Sequence, residues 1–370
     1  MSPLKSNIKP ARLAAGLSQA RLAREAGISR QAYVAIESDK SVPSTEVSLR
    51  LARTLGCTIE SLFSLPVEEG ATVTAELVPA PHPSSMPPRV QLFTVGGKLF
   101  ARPLSGRSST SYTMTPADGI VLTSPSRDGV SVRLLGPLDQ ANTLVLAGGD
   151  PAIPFLSRDM GLRRLRMVHL GEDSNSALSY LWAGRAHVAG CHLFDETTGQ
   201  YNVPWVNRLA PFPCSLITFA VREQGLIIAP GNPRGIASID DLSRPDVSLI
   251  NREEGSGSRA LLDRQVARAG LTPDSINGYQ RTAAGHLAVA DAVAVGLADA
   301  GIGVRSAAEA RSLDFVPLGQ ERYDFVIPNH FLDLLLVQAF IETLKQPYSR
   351  RQVEALGGYD VSSMGDPVSV

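Results

Sequence analysis

The densest run of chemistry-bearing side chains is Asn251-Arg252-Glu253-Glu254-Gly255-Ser256-Gly257-Ser258-Arg259-Ala260-Leu261-Leu262-Asp263. The apolar strand Ser248-Leu249-Ile250 enters it and a helical pattern leaves it. Backbone N–H groups, two hydroxyls and a helix dipole therefore converge on one point, where an anion is favoured. Ser256, Gly257 and Ser258 form the turn, and Arg252 and Arg259 flank it. Two plainer readings stay open. The stretch from Gly255 to Ala260 satisfies the GxGxxA form of a dinucleotide turn, and the whole loop can be a helix cap whose arginines pair with Glu253 or Glu254. No GxxxxGK[ST] phosphate loop occurs.

Three other strand-to-helix loops have the same composition: Gly148-Gly149-Asp150-Pro151, Glu172-Asp173-Ser174-Asn175-Ser176, and Thr282-Ala283-Ala284-Gly285-His286. Each alone reads as a cap. Four together predict a cleft ringed by helix N-termini, with Asp150, Ser174, Asn175, Ser176, Arg252, Ser256, Gly257, Ser258, Arg259 and His286 as candidate ligand contacts. Tyr323-Asp324, after Glu321-Arg322, offers a cleft hydroxyl and a hinge contact, with a surface salt bridge as the alternative.

Other chemistries find little support. The six histidines form no HExxH or other ligand spacing, although His187, Cys191 and His192 cluster after one strand. No GxSxG elbow is present, and nothing recognisably pairs a nucleophile with a base. No catalytic residue, metal ligand or cofactor is assigned, and the expectation is a protein that is not an enzyme. The three cysteines, Cys57, Cys191 and Cys214, are too few for a disulfide framework and fit a reducing compartment. There is no stretch of apolar residues long enough to span a membrane, and no leader pattern at the N-terminus, so a cytoplasmic protein without a membrane partner is expected.

A second kind of chemistry lies at the N-terminus. Residues 1–66 carry nine Lys/Arg against five Asp/Glu, whereas the remaining residues carry 26 against 31. A basic head on a mildly acidic body suits phosphate attraction by one domain alone. Apolar residues recur there at helical spacing, and five helices are predicted: Ile8 to Ala15, Gln19 to Glu25, Arg30 to Ser38, one from the Ser44 cap to Leu55, and one from Thr58 through Phe63. The pair around Gly27 has the layout of a helix-turn-helix, with Ser29 capping the recognition helix. Leu22, Ala26, Ile28, Ile36 and Leu51 are expected in the core. Arg30, Gln31 and Tyr33 are expected to project as base readers, and Gln19, Arg21 and Lys40 as phosphate contacts.

Several motifs carry a family resemblance here. Leu17-Ser18-Gln19, Ala23, Ala26-Gly27-Ile28-Ser29, Ile36-Glu37, Pro43-Ser44 and Leu51-Ala52 strongly resemble the Cro/phage-repressor (XRE) family. The resemblance implies binding of double-stranded operator DNA as a homodimer on two half-sites.

Between the two chemistries, 67–88 is rich in proline and reads as a linker, with a possible strand near Val73 to Val78. Residues 89–140 alternate β-branched runs with Gly, Ser and Pro and predict a small β-rich subdomain, with Gly96-Gly97 as a hairpin turn. Over 141–370, strand-like runs alternate with helical stretches, which specifies mostly parallel sheets flanked by helices in two lobes, with ligands beyond the strand ends. The apolar helix Phe331-Leu332-Asp333-Leu334 onward is expected to pack on the first lobe or on a partner subunit. The fold class is thus multidomain: an all-α helix-turn-helix domain, a β-rich subdomain and a two-lobed α/β region.

The last region also resembles a family. AGGDPA (147–152), EDSNSALSYL (172–181), HVAGCHLFD (187–195), APGNP (229–233), the 251–263 loop, GHLAVADAVAVGLADAG (285–301), LDFVPLGQERYDFVIP (313–328) and LGGYD (356–360) are similar to the periplasmic-binding-protein-like domain of molybdate-binding type, found fused to regulatory DNA-binding domains. This implies a hinged type II fold closing on a small anion, either a molybdate- or tungstate-type oxyanion or a small organic anion. Gly149 stands where cysteine is expected in relatives, so no thiol acts there. Together the readings predict a ligand-responsive one-component transcription regulator. The alternative is an enzyme or ligand-scavenging protein with an incidental DNA-binding fusion.

Overall fold

The computed structural model describes residues 5–38, 40–64, 70–78, 89–104, 115–123, 129–138 and 142–368. These fall into two compact units. One is the chain up to Ala71 with Leu134–Pro137, and the other is Thr72–Arg133 with the chain from Leu138 onward.

The first unit is helical: α1 (Ile8–Ala14), α2 (Gln19–Glu25), α3 (Arg30–Glu37), α4 (Thr45–Leu55) and α5 (Ile59–Leu62). The expected caps form. Ser18 Oγ accepts from Arg21 N at 3.2 Å, Ser29 Oγ from Ala32 N at 3.1 Å, and Ser44 Oγ and Thr58 Oγ1 each from the N–H three residues on at 3.3 Å. Each such cap contributes about 1 kcal/mol by satisfying an orphan N–H. Ile8, Leu22, Ala26, Ile36, Leu51 and Leu62 are buried together, while Ile28 is half-buried against them. A short antiparallel pair, β1 (Lys5–Ser6) with β2 (Phe63–Ser64), ties the ends of the unit, an element the helical periodicity did not announce.

The second unit begins with a closed five-stranded barrel: β3 (Thr72–Leu77), β4 (Arg89–Val95), β5 (Lys98–Pro103), β6 (Gly119–Val121) and β7 (Val130–Leu134), in the order β3-β5-β4-β6-β7. Its first strand lies inside the stretch read as linker, so the β-rich subdomain starts at Thr72 and not at 89. Pro66, Pro79, Pro81, Pro83, Pro87 and Pro88 lie outside the described residues. The β4–β5 turn is the predicted one: Val95 pairs with Lys98, and Gly96 and Gly97 have φ of 56° and 78°, the left-handed pair a two-residue hairpin needs.

The rest is two α/β lobes threaded on one sheet. The first lobe contains β8 (Thr143–Ala147), α6 (Ile153–Leu162), β9 (Arg166–Leu170), α7 (Ser174–Trp182), β10 (Val188–Cys191), the small hairpin β11 (Phe194–Asp195) and β12 (Gln200–Tyr201), and α8 (Val203–Leu209). β13 (Cys214–Ile228) then crosses to the second lobe, made of β14 (Leu249–Arg252), α9 (Gly257–Arg268), β15 (Thr282–Ala283), α10 (His286–Ala294), β16 (Ala300–Val304) and α11 (Arg305–Glu309). β17 (Asp314–Pro328) returns, and α12 (Leu335–Lys345), α13 (Pro347–Glu354) and β18 (Tyr359–Asp360) finish the chain. The strand order is β15-β14-β16-β13-β17-β10-β8-β9, with β18 on β13.

β13 and β17 pair antiparallel along nearly their whole lengths, so both lobes share them. Register shifts at Thr218/Ala220 and Gln224/Gly225 bracket the crossing, and such irregularities bend and twist a ladder. The apolar tail helix α12 packs into the first lobe through Val337, Phe340 and Leu344. The barrel shares a core with that lobe: Phe93, Val95 and Phe100 pack with Val168, Leu170 and Leu178. Burying each such side chain is worth about 1.5–3 kcal/mol, so barrel and first lobe move together. Arg166 with Asp118 at 2.5 Å and Arg185 with Glu76 at 2.8 Å add ion pairs between them.

Candidate ligand cleft and DNA-binding face

In the helical unit, Arg30, Gln31 and Ala32 at the start of α3 are exposed, as are Ser29 and Lys40. Arg21 is exposed and pairs with Glu25 one turn on. Two expected contacts are placed differently. Tyr33 is fully buried in the core, where burial pushes its phenol up to about 12. It sits three residues before Ile36, on the same helix face, so it packs instead of projecting. Gln19 is half-buried and donates to Glu37 Oε2 at 2.5 Å, while Arg12 grips Glu37 Oε1 at 2.8 Å. Those bonds lock α1, α2 and α3 together, so Gln19 has a structural partner.

In the two-lobed unit, a cleft of about 600 Å³ opens between the lobes. All four predicted loops reach it: Gly149, Asp150 and Pro151 before α6, Gly171, Glu172 and Asp173 before α7, Ser256 and Gly257 at α9, and Gly285 and His286 at α10. Asp173 caps α7 by accepting from Asn175 N and Ser176 N at 2.9 and 3.0 Å. Ser256 caps α9 by accepting from Arg259 N at 3.3 Å. At α10 the N-cap is Gly285, which brings no side-chain cap, so the amides of His286, Leu287 and Ala288 stay outside the helical ladder and carry partial positive charge at the cleft. Arg252 lines it and holds Glu253 at 2.6 Å. That contact and the Gly285 amide keep the Glu253 carboxyl below its usual range in spite of burial.

Beneath the cleft lies a buried charge network that the sequence reading did not single out. Arg222, on β13 at the crossing, is buried and donates to Asp150 Oδ2 and to Glu321 Oε1. Glu321 faces it on β17 and also meets His192 Nδ1 at 2.8 Å. Burial alone would raise the Glu321 carboxyl, but Arg222 and His192 hold it at about 2. Gln224 donates to Glu321 Oε2 at 2.8 Å, and Ser258 donates to Gln224 Oε1 at 2.8 Å. The network thus runs from Asp150 of the first lobe, through both crossing strands, to α9 of the second. A signal was present: Arg222, Glu223 and Gln224 interrupt an otherwise apolar strand, and charge in such a strand requires buried partners.

The candidate contacts therefore divide. Asp150, Arg252, Ser256, Gly257 and His286 line the main cleft. Asp150 is committed to Arg222, to Ala152 N at 2.7 Å and to the Tyr359 hydroxyl at 2.9 Å, so it anchors the loop. His286 is buried, its Nδ1 has no partner among the described residues, and burial holds it well below its usual pKa, hence neutral. Asn175 and Arg259 line a smaller crevice of about 260 Å³, which also borders Ser256 and Gly257. Arg259 stacks on the Tyr279 ring at 4.2 Å and pairs with Asp263 at 3.1 Å.

Ser174, Ser176, Ser258 and Tyr323 line neither space. Ser174 Oγ accepts from His192 N at 3.1 Å, positioning that residue, and Ser176 Oγ donates to Asp173 Oδ2 at 2.7 Å. Tyr323 is fully buried, stacks on His192 at 5.6 Å and presses its hydroxyl against Gly148 and Gly190. It packs in the core beneath the cleft instead of lining it. Gly149 lines the cleft, and a Cβ there would crowd the Glu172 carbonyl at 2.8 Å.

The barrel supplies the remaining wall, through Gln91, Arg102, Leu104 and Thr115. Arg102 Nη1 donates to the His169 carbonyl at 2.7 Å. Burial lowers its pKa and raises that of Glu172, while each charge partly offsets the shift of the other. His169, beside them, is pushed down to about 4 by burial and donates through Nε2 to the Gly148 carbonyl at 2.6 Å.

A helix-turn-helix joined to a two-lobed fold with an interlobe cleft defines a class, and comparison with known families agrees. The chain belongs to the PBP superfamily, whose domain matches residues 156–345, and a helix-turn-helix family matches residues 8–62. Among relatives, the uncharacterized protein YvgK of Bacillus subtilis (strain 168) is 35% identical over 230 residues, 61% of this chain and 74% of that protein. The uncharacterized HTH-type transcriptional regulator MJ0272 of Methanocaldococcus jannaschii is 37% identical over 60 residues, 16% of this chain and 91% of that one. Among solved structures, the sulfate-binding protein SubI from Mycobacterium tuberculosis H37Rv aligns with a TM-score of 0.44 at 14% identity, covering 59% of this chain and 86% of that one. An ABC-type phosphate transport receptor from Vibrio cholerae aligns at 0.41 with 13% identity, covering 58% and 98%. Among the described residues no helix is long and apolar enough to cross a membrane.

Proposed function

We propose that this protein is a ligand-responsive one-component transcription regulator. It binds operator DNA as a homodimer through Arg30 and Gln31 of α3, with Arg21, Ser29 and Lys40 toward the phosphates. It takes a small anion, either a molybdate- or tungstate-type oxyanion or a small organic anion, in the interlobe cleft. The observation that carries this reading is the joining, on one chain, of a helix-turn-helix with exposed Arg30 and Gln31 to a cleft bordered by four helix N-termini. Arginine and glutamine at a recognition helix suit guanine and adenine edges, and helix N-termini suit an anion. On this reading the cleft binds and releases its ligand unchanged, in the cytoplasm where the operator is.

Ligand that prefers one interlobe geometry shifts the equilibrium toward it, and equal affinity for both would shift nothing. Thermal-shift titration of the full chain with molybdate, tungstate, sulfate, phosphate and small carboxylates tests the cleft, since a ligand of the folded state raises its melting temperature. A rise with one of these, reduced in Arg252→Ala, supports the reading. No rise with any of them contradicts it.

A further inference from the structure

The interlobe cleft has a third wall that a hinged two-lobed binding site does not require. Gln91 and Arg102 are cross-strand partners in the β4–β5 ladder, so their side chains leave the same face of the barrel, and both line the cleft with Leu104 and Thr115. The barrel cannot swing away from the first lobe, because the two share a hydrophobic core and Arg102 donates to the His169 carbonyl in β9. The cleft accordingly runs from the first turns of α9 and α10 on the second lobe to a barrel surface on the first.

Its two ends differ in chemistry. The second-lobe end offers the first-turn amides of α9 and α10 and the Ser256 hydroxyl, the donors an acidic head wants, with Arg252 paired there to Glu253. At the barrel end Arg102 is balanced by Glu172, and Gln91 and Thr115 are neutral and polar. Groups of that kind read hydroxyls and amides, not a second full charge. A cleft of about 600 Å³ is of the size that encloses organic ligands, and an inorganic oxyanion would leave the barrel end filled with water.

Resting on the anion-binding reading above, we propose that the ligand is a hydroxylated organic anion, its acidic head at the first turns of α9 and α10 and its body against Gln91, Arg102 and Thr115 of the barrel. The barrel is then part of the sensor and sets its specificity. A bare oxyanion occupies only the head position and binds more weakly.

Matched probe pairs test this on the full chain by calorimetric titration: inorganic phosphate against glycerol 3-phosphate, and acetate against glycerate. Each pair shares a head and differs by a hydroxylated body. The expected result is about tenfold tighter binding of the larger member in at least one pair, with that gain lost in Gln91→Ala and in Arg102→Ala while binding of the smaller member persists. Gln91→Ala keeps the test decisive if Arg102→Ala unfolds. Equal affinity within both pairs overturns the proposal, as does a gain that survives Gln91→Ala. If no member of either pair binds while molybdate, tungstate or sulfate does, this proposal falls and the anion-binding reading stands; if none of these binds, both fall.

Discussion

His192 of the first lobe lies against Gly257, the first residue of α9 on the second, so closely that a Cβ at Gly257 would come within 2.3 Å of the imidazole Cε1 and Nδ1. The contact separates the main cleft from the smaller crevice, since both residues border both spaces. It is where the lobes meet at the cleft floor, and it ties interlobe geometry to the network of Glu321 and Arg222.

Gly257→Ala should therefore wedge the lobes apart. The expected outcome is about tenfold weaker ligand binding and a larger radius of gyration by small-angle scattering, both reversed by adding His192→Ala. A Gly257→Ala protein with unchanged affinity would show that the contact does not govern closure.

Arg222 joins two buried carboxylates, and replacing it by methionine strands both. Loss of one partner of a buried ion pair costs about 3–5 kcal/mol. Urea unfolding of Arg222→Met should show a loss in that range, with a lowered midpoint. Stability equal to that of the parent protein would mean that the network is already solvated.

Histidine 187 gives a pH dependence whose sign follows from its environment. It is buried, its Nδ1 accepts from Val145 N at 3.0 Å, and burial holds its pKa down to about 4. Because the folded value lies below the unfolded one near 6.5, its contribution is full above pH 6.5 and is lost progressively as pH falls toward 4. The loss amounts to about 3 kcal/mol. Equilibrium unfolding at pH 7 and pH 5 should show about 2 kcal/mol of it, and His187→Asn, which offers an acceptor without an imidazole, should remove that share while His169 keeps its own. Parallel pH curves for the two proteins would contradict the assignment.

In the helical unit, Tyr33 and Arg30 should separate cleanly. Tyr33→Ala empties the core and should cost about 3–5 kcal/mol. Arg30→Ala and Gln31→Ala should leave the melting temperature within about a degree or two and abolish binding to an operator selected from random duplexes. Operator binding that survives both changes would displace the recognition surface from α3.

The sequence was most legible where local chemistry decides structure. Ser18, Ser29, Ser44 and Thr58 cap their helices as expected because capping depends on residues three apart. The four cleft loops were found for the same reason. What stayed hidden depends on pairing between distant strands: Arg222 meets Glu321 across 99 positions and Asp150 across 72. Tyr33 and Tyr323 mislead because a phenol reads as a contact by type, while Ile36 on the one helix and Phe325 on the one strand mark their faces as interior. The strand expected near Val73 to Val78 is β3, but its pairing into the barrel, and the barrel's place in the cleft wall, are tertiary facts that no local pattern carries.

Occupancy of the cleft should change the affinity of the helix-turn-helix for DNA. Fluorescence anisotropy of a selected operator duplex, titrated with the full chain with and without the anion that raises its melting temperature, tests this most directly. The expected result is at least about a fivefold change in Kd, matched by an equal change in ligand Kd with and without DNA, since coupling between two sites is reciprocal. Identical operator affinity at saturating ligand would contradict it.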